Sequence, residues 1–505
     1  MKKKLGIIDL GSNSVRMNIM KIYENGSYKM ADHSKEMVRL SQGMGREMTL
    51  KEEPIKRTIH TLKLFNKLLR YYEIDDVYCI ATAAVRSAKN RKYFLDKVKE
   101  ETGLEFDVIT GKKEAYYDYL GVINTIQIDN CIIMDVGGAS TEIALVNNRE
   151  IKEAVSFDFG AVTLSENYLE NDKISSNSLK KLEEYILNKY KDIDWLKEGK
   201  KLPIIGLGGS IRTIAKVDKK SIKLPFDTLH NYRVERKEFL KIYNRIKSKD
   251  LKGRKKISGV SKKRADIIVG GIAPLDVIMK YLNTDSLIIS GNGLREGVFY
   301  SDYLKEIGYE KPVVNNILDK RIENILKNYD VNINHSKLVK NIALQIFDQT
   351  KKLHKMGHWE RKILYSAAML HDIGMYVDYY NHHKHGFYLA LNSRIYGLKN
   401  KEIIMVAFII GKHRESSLKK NWKEYSMLID KKDYKKIKIL SLFLKIAEKL
   451  DRSEYGNVEK TDINMVDKTV NMRIISSKDP ELEIAGVLKF KKEFKKLLGK
   501  DLNIS

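Results

Sequence analysis

Two stretches of the chain repeat one order of apolar and polar positions. From Leu5 an apolar run (LGIIDL) breaks at Gly11-Ser12, a second run (VRMNIMKIY) follows, and Asn25-Gly26 signals a hairpin into a third strand from Tyr28. From Cys131 the order returns as CIIMDV, the Gly137-Gly138 turn, TEIALV, an Asn147-Asn148 turn and a third strand toward Phe157. Asp9 thereby matches Asp135, Gly11 matches Gly137, and Ser14 matches Ser140. One Asp-Gly turn is a weak signal, but two at the same point of the same unit predict a duplicated α/β domain with mixed sheets. Helical spacing fills the intervals. Ile55, Ile59, Leu62, Phe65 and Leu69 recur every three or four positions just after Pro54, and Leu179, Leu182 and Ile186 do so in the second half.

Beyond about residue 305 strand signals give way to Lys-rich amphipathic helices that carry most of the histidines, with a boundary at Tyr309 to Val313 around Pro312. The stretch from Thr461 reads as strand (VNMRII), helix (PELEIAGVLKFKKEFKKLLG) and strand (DLNI). Since domains usually hold roughly 100–200 residues, 505 residues exceed one core. The expected division is 1–124 and 125–308 for the α/β pair, 312–460 for an all-α domain and 461–505 for a small α+β unit.

Composition narrows the class. With 43% hydrophobic and 31% charged residues and no long Pro-, Ser- or Gln-rich tract, the chain can build cores throughout. Its two cysteines, Cys79 and Cys131, sit in apolar runs that read as buried strands, so no disulfide framework is expected and a reducing compartment fits. The basic start MKKKLGIIDLG meets Asp9 before a signal-peptide core can form, and no window approaches the ~18 apolar residues of a membrane span. A cytoplasmic protein without a membrane partner is expected. Lys and Arg outnumber Asp and Glu by 93 to 66, a net charge of +27. Two readings of that surplus stand: a polyanionic partner gathered by clustered cations, or a Lys-rich solvated surface.

The turns supply chemistry. Phosphate binding needs backbone N–H groups and short side chains that let the backbone approach, as in Gly11-Ser12-Asn13-Ser14 and Gly137-Gly138-Ala139-Ser140-Thr141. Asp9 and Asp135 would face such an anion directly, an arrangement that makes sense with a divalent cation between them, Mg²⁺ by preference. A third Gly-rich turn, Gly208-Gly209-Ser210 in IIGLGGSIRTIA, opens a helix toward another phosphate. Hydrolysis further needs a carboxylate to activate water. Glu114, after ITGKK, and Glu142, after Ser140-Thr141, are the candidates. On spacing alone Glu114 reads equally as an ordinary helix N-terminal acid.

The motifs IDLGSNSVRMNI, ATAAVRSAKN, ITGKKEAYYDYLGV, IMDVGGASTEIALV, GLGGSIRTIA and SGNGLREGV, in this order, resemble those of the exopolyphosphatase/guanosine pentaphosphate phosphatase family over roughly residues 5–300. The resemblance implies duplicated actin-like (ribonuclease H-like) domains. It implies Glu114 as the base on the lytic water with Glu142 in support, Asp135 and Gly137 on metal and phosphate, and Arg86 and Asn90 on the phosphate chain. It also implies that Gly291 to Gly297 form part of the substrate cleft. Two departures stand out: Lys113 where a second acid is common, and Ala139 where a third glycine is frequent.

The histidine-rich half holds His335, His371-Asp372, His382-His383-Lys384-His385 and His413, the ligand types of a metal-dependent phosphohydrolase. It resembles an HD domain, which implies His335, His371, Asp372, His385 and His413 as ligands of a second divalent metal. The closing acid is Glu448 or Asp451, and the site is either metal-bound or a retired scaffold whose basic groove holds polyphosphate. The expected function is release of terminal orthophosphate from inorganic polyphosphate. Hydrolysis of guanosine pentaphosphate is the alternative, and a non-catalytic regulator that binds polyphosphate or a phosphorylated guanosine nucleotide is a second. A homodimer without a sequence-specific nucleic-acid partner completes the expectation.

Overall fold

The structure is a computed structural model that describes residues 2–45, 47–74, 76–169, 173–225, 228–414 and 422–505. The chain divides into two compact units: Met1–Lys223 with Leu229–Ile317, and Leu224–Thr228 with Leu318–Ser505.

In the first unit the repeat folds twice. Strands β1 (Lys3–Leu10), β2 (Val15–Ile22), β3 (Tyr28–Glu36), β4 (Asp76–Ala81) and β5 (Asp107–Val108) form a sheet of order β3-β2-β1-β4-β5. Strands β6 (Cys131–Val136), β7 (Thr141–Asn147), β8 (Glu150–Phe157), β9 (Ile204–Leu207), β10 (Tyr232–Glu235) and β11 (Ser286–Ile289) form a second, β10-β11-β9-β6-β7-β8. In each, an antiparallel hairpin meanders away from the first strand, while a parallel strand, β4 or β9, lies on its other side. Parallel pairing requires a helical crossover, and the helix Glu52–Tyr71 supplies it in the first sheet. It buries Ile55, Ile59, Leu62, Phe65 and Leu69, the residues picked out by their spacing. Fully burying such a side chain stabilises by about 1.5–3 kcal/mol. Cys79 and Cys131 are free and buried.

The two lobes exchange helices, so the expected cut at 124/125 parts a helix from the sheet it covers. Helix Gly111–Ile123 packs Tyr119, Leu120, Val122 and Ile123 against Cys131, Ile133 and Ala144 of the second sheet. Helix Leu294–Glu306 returns to the first sheet, where Val298, Phe299, Tyr303 and Leu304 join Leu5, Ile7, Met20 and Ile22. The two helices touch backbone to backbone, at Gly121 against Gly293 and at Gly297 against Tyr117, where a β-carbon would collide with a carbonyl.

The second unit is helical, built on Ile333–Gln349, His358–Leu370, His382–Asn392, Asn400–Gly411 and Lys431–Lys449. Strands β12 (Val458–Val466), β13 (Thr469–Ser476) and β14 (Asp501–Ile504) then form a sheet in that order. The expected strand–helix–strand unit thus gains an edge strand that straddles the 460/461 boundary. Only Val458 and Thr461 of β12 are buried, so its alternation is too polar to read as a strand. The expected single helix is two, Glu481–Leu488 and Lys491–Leu498. Among the described residues no helix is long and apolar enough to cross a membrane.

Candidate active site

The two Asp-Gly turns meet. Each closes with the same hydrogen bond, Gly11 N–H to Ser14 O at 3.2 Å and Gly137 N–H to Ser140 O at 3.0 Å. A β-carbon on Gly138 would stand 2.9 Å from that of Ser12, so the turns are in van der Waals contact. Gly208, at φ +86°, brings the third turn against the second; a β-carbon there would lie 2.5 Å from Val136 O and 2.7 Å from Asp135 Oδ1. Together they line a cleft of about 70 Å3 with Asp9, Gly11, Ser12, Asn13, Ser14, Gly137, Gly138, Ser140, Gly208 and Gly209 on its walls.

Glu114 reaches this cleft from the first turn of helix Gly111–Ile123, whose N-terminus is capped by Thr110 Oγ1 accepting from Lys113 N–H. Arg86 Nη1 donates to Glu114 Oε2 at 3.0 Å and to Ile109 O at 2.9 Å, while its Nη2 lies 3.8 Å from Glu142 Oε1. Glu142 is 2% exposed and accepts from Ser156 Oγ at 2.8 Å. Burial, opposed by Arg86 and reinforced by Asp135 and Asp9, raises the Glu114 carboxyl to about 7. Burial together with Glu114 and Asp135 raises Glu142 well above the carboxylate range, and burial also raises Asp9 and Asp135.

Other sequence candidates have different duties. Asn90 spends both ends of its amide on the Leu50 backbone, at 3.0 and 2.9 Å, and does not line the cleft. Thr141 Oγ1 donates to Phe159 O, and Ser210 Oγ is buried without a hydrogen-bond partner. Ala139 lies in the second turn, against Gly160. The Gly291 to Gly297 segment serves packing instead of the cleft wall. Gly293 N–H donates to Glu296 Oε2, and Arg295 reaches Asn18 Oδ1 at 2.7 Å.

Sequence reasoning missed the cations. Arg16 and Arg264 line the cleft with Thr82, and Arg212 stands close to both. Burial and mutual repulsion lower Arg212 and Arg264 to about 10, and burial with the same three guanidiniums lowers Lys35 to about 7. Gly209 has no side chain because Arg264 occupies that space. Arg16 was findable, since it is the register partner of Asp9 as Glu142 is of Asp135. Arg264 lay hidden in the Lys-rich run KKR. Asp118, one helical turn after Glu114, was also missed; it is 1% exposed and neither carboxylate oxygen has a hydrogen-bond partner.

In the second unit the candidate ligands converge around Asp372. Its Oδ2 lies 3.6 Å from His335 Nε2 and 3.2 Å from His371 Nε2, and its Oδ1 lies 3.5 Å from His382 Nε2 and 3.8 Å from His413 Nε2. His382 takes the place expected for His385, because the helix beginning at His382 turns that imidazole inward. Asp451 accepts from His335 Nδ1 at 2.8 Å, so it orients that ring from behind. Glu448 lies beside Arg414 (3.4 Å) and Lys449 (3.0 Å). Burial works against charge here, yet His371, His413 and His382 hold Asp372 well below the carboxylate range. In turn Asp372 lifts His371 to about 9 despite its burial.

A duplicated actin-like fold whose Gly-rich turns meet around buried carboxylates is an arrangement suited to binding phosphate groups. Residues 19–306 match the Ppx/GppA phosphatase family and residues 317–492 match its domain III, and the chain belongs to that family. A guanosine-5'-triphosphate,3'-diphosphate pyrophosphatase of Pseudoalteromonas atlantica is 28% identical, covering 81% of this chain and 79% of its own. A bifunctional 3-dehydroquinate synthase/phosphatase of Fusobacterium nucleatum is 33% identical over 310 residues, 56% of this chain, and the match spans only 44% of that relative's length. Among solved structures, a Ppx/GppA family member from Aquifex aeolicus is 31% identical with a TM-score of 0.52, covering 61% of this chain and 99% of that one. An exopolyphosphatase from Cytophaga hutchinsonii, 24% identical with a TM-score of 0.56 over 60% of this chain and 98% of its own, shares the fold.

Proposed function

We propose that the cleft releases terminal orthophosphate from inorganic polyphosphate, with Glu114 taking the proton of the attacking water. The observation that carries this reading is Glu114 itself. It is a carboxylate at the meeting point of the phosphate turns, held by Arg86 and raised to about 7, where a base both exists ionised and still accepts a proton. The carbonyls of Gly137 and Gly138 are taken by the N–H groups of Ala161 and Val162 and Gly137 N–H closes the turn on Ser140 O, so the N–H groups after Gly137 are the ones this reading gives to phosphate oxygens. Arg16, Arg212, Arg264 and Lys35 repel one another without an anion, and a chain of phosphates satisfies all four.

Asp9 and Asp135 fit a hard divalent cation: Asp135 Oδ1 is buried without a hydrogen-bond partner, and carboxylate oxygens are the donors Mg²⁺ prefers. Such a cation, when bound, neutralises charge on the phosphoryl group. The second reading, hydrolysis of guanosine pentaphosphate at the same residues, is favoured by the name of the Pseudoalteromonas relative, which matches across most of its length.

The test is orthophosphate release from long-chain polyphosphate and from guanosine pentaphosphate, for wild type and Glu114→Ala. Faster turnover of polyphosphate, lost in the variant, supports the first reading. Faster turnover of the nucleotide moves the assignment to the second, and full activity of Glu114→Ala on both sinks the proposed mechanism.

A further inference from the structure

Arg39 joins the two lobes of the first unit beside the cleft, and the proposed chemistry gives it no part. It is a non-glycine residue in the left-handed region, at φ +48°, a conformation that persists only where surrounding contacts hold it. Its own N–H donates to Asn13 O, and two residues on Ser41 N–H donates to Ser12 O, both at 3.0 Å. The segment is thereby tied through its backbone to the phosphate turn of the first lobe. The Arg39 side chain reaches the second lobe, where Nη1 donates to Asp266 Oδ2 at 3.1 Å and Nη2 donates to Lys263 O at 2.9 Å.

Those two acceptors bracket Arg264, the cation that enters the cleft from the second lobe. Arg254 Nη1 donates to Ala265 O at 3.4 Å, so the backbone on either side of Arg264 is held. The hold matters because the position is electrostatically adverse for a cation. The Arg264 guanidinium fills the space beside Gly209, the first residue of helix Gly209–Ser221, where the helix dipole is positive. Arg16 repels it as well, against the pull of Asp135 and Asp266. Its Nε is buried without a hydrogen-bond partner. An arginine so placed gains by swinging out to water unless its backbone is fixed or an anion meets it.

We infer that Arg39 is a positioning residue: its paired bonds to Asp266 and to Lys263 O hold the 263–266 turn against the first lobe, so that Arg264 stays aimed at phosphate in the cleft. This role rests on the reading of the cleft as a phosphate site, and it makes affinity depend on a residue that does not touch the substrate. The competing account is that Arg39 is one more surface cation drawing anions in. Asp266 separates the two by sign. An acid beside an anion site opposes phosphate binding, so charge alone has Asp266→Ala lower KM. Positioning has it raise KM, because Arg264 loses its hold.

Steady-state hydrolysis of long-chain polyphosphate and of guanosine pentaphosphate by the full chain tests this, with the melting temperature of each variant as the fold check. Arg264→Ala should raise KM about tenfold to a hundredfold, the loss of a charged hydrogen bond. Arg39→Ala and Asp266→Ala should each raise KM about threefold to fivefold, the scale of a partly exposed ion pair, with kcat within about twofold. Asp266→Glu, which keeps the carboxylate, should return KM toward the wild-type value. Adding Arg39→Ala to Arg264→Ala should change KM no further, since Arg39 acts through Arg264. A folded Asp266→Ala whose KM falls or stays unchanged overturns the inference, and so do arginine substitutions whose effects multiply. Glu114→Ala is run beside them: full activity there removes the proposed base, while the sign at Asp266 still decides the role of Arg39 on whichever compound the protein hydrolyses.

Discussion

The hairpin that starts each lobe of the first unit has one backbone and two chemistries. Asp9 and Asp135 occupy the same position and the closing hydrogen bonds are alike, yet the residue across the ladder is Arg16 in one copy and Glu142 in the other. Duplication supplied the cradle, and divergence at one register position set a cation on one wall and an acid on the other. The first lobe's turn carries Arg16 with Lys35 near it, the side proposed to grip phosphate, and Arg264 and Arg212 stand by Asp135 beside the third turn. The second lobe's turn faces Glu114 and Glu142, joined through Arg86, the side proposed to react.

Removing the reacting carboxylate breaks the comparison most completely. Glu114→Gln keeps size and hydrogen bonding but cannot accept a proton, so kcat should fall about 10²–10⁴-fold, the usual contribution of a positioned base, with KM little changed. On the gripping wall the pattern inverts. Arg16→Ala should raise KM for polyphosphate about tenfold to a hundredfold, the equivalent of losing a charged hydrogen bond worth about 1.5–3 kcal/mol, with a smaller change in kcat. If both variants lose kcat alone, the division of labour is wrong.

How much of this asymmetry the sequence carried depends on the kind of contact. The duplicated strands, the turns and the helix at Ile55–Leu69 were legible because period and turn residues are local signals. The exchange of helices between lobes was not, since Gly121 and Gly297 look like any helix glycine until the partner backbone is seen. Arg264 and Asp118 were illegible for a related reason. A Lys-rich run and a lone acid among tyrosines carry no sign of which cleft they enter. His385 was preferred to His382 because spacing along the chain does not tell which way a helix start turns. The edge strand Val458–Val466 was illegible because its polar residues hide the alternation.

A subtler effect follows from Arg86, which is shared by both acids of the reacting wall. As the proposed base, Glu114 would work only when ionised, so kcat/KM should rise with pH through about 7, its raised value. Arg86 pulls that value down against burial; Arg86→Gln removes the pull, and the acid limb should move to higher pH. A pH–rate profile of both proteins checks the sign, and a shift to lower pH would show that Arg86 acts on something other than Glu114.

The smallest effect concerns Asp118, buried behind Glu114 in the same helix. Burial, with Asp135 and Glu114 nearby, holds its carboxyl well above its ordinary value of 3.8, so the folded protein keeps this proton at pH values where the unfolded chain has released it. The unfolded state therefore gains stability from ionisation as pH rises above about 4, and the native protein loses stability until the folded group ionises as well. Asp118→Asn is close in shape to the neutral acid and does not titrate. Its melting temperature should equal or fall slightly below that of wild type at pH 4 and overtake it as pH rises to 8, by a few degrees for a change of about 1 kcal/mol in a unit of this size. Turnover should stay within about twofold, because a neutral Asp118 neither grips phosphate nor takes the water's proton. A variant whose relative stability instead falls with pH would mean that Asp118 is ionised in the fold and held by a cation, which would move it from the packing behind the reacting wall into the wall itself.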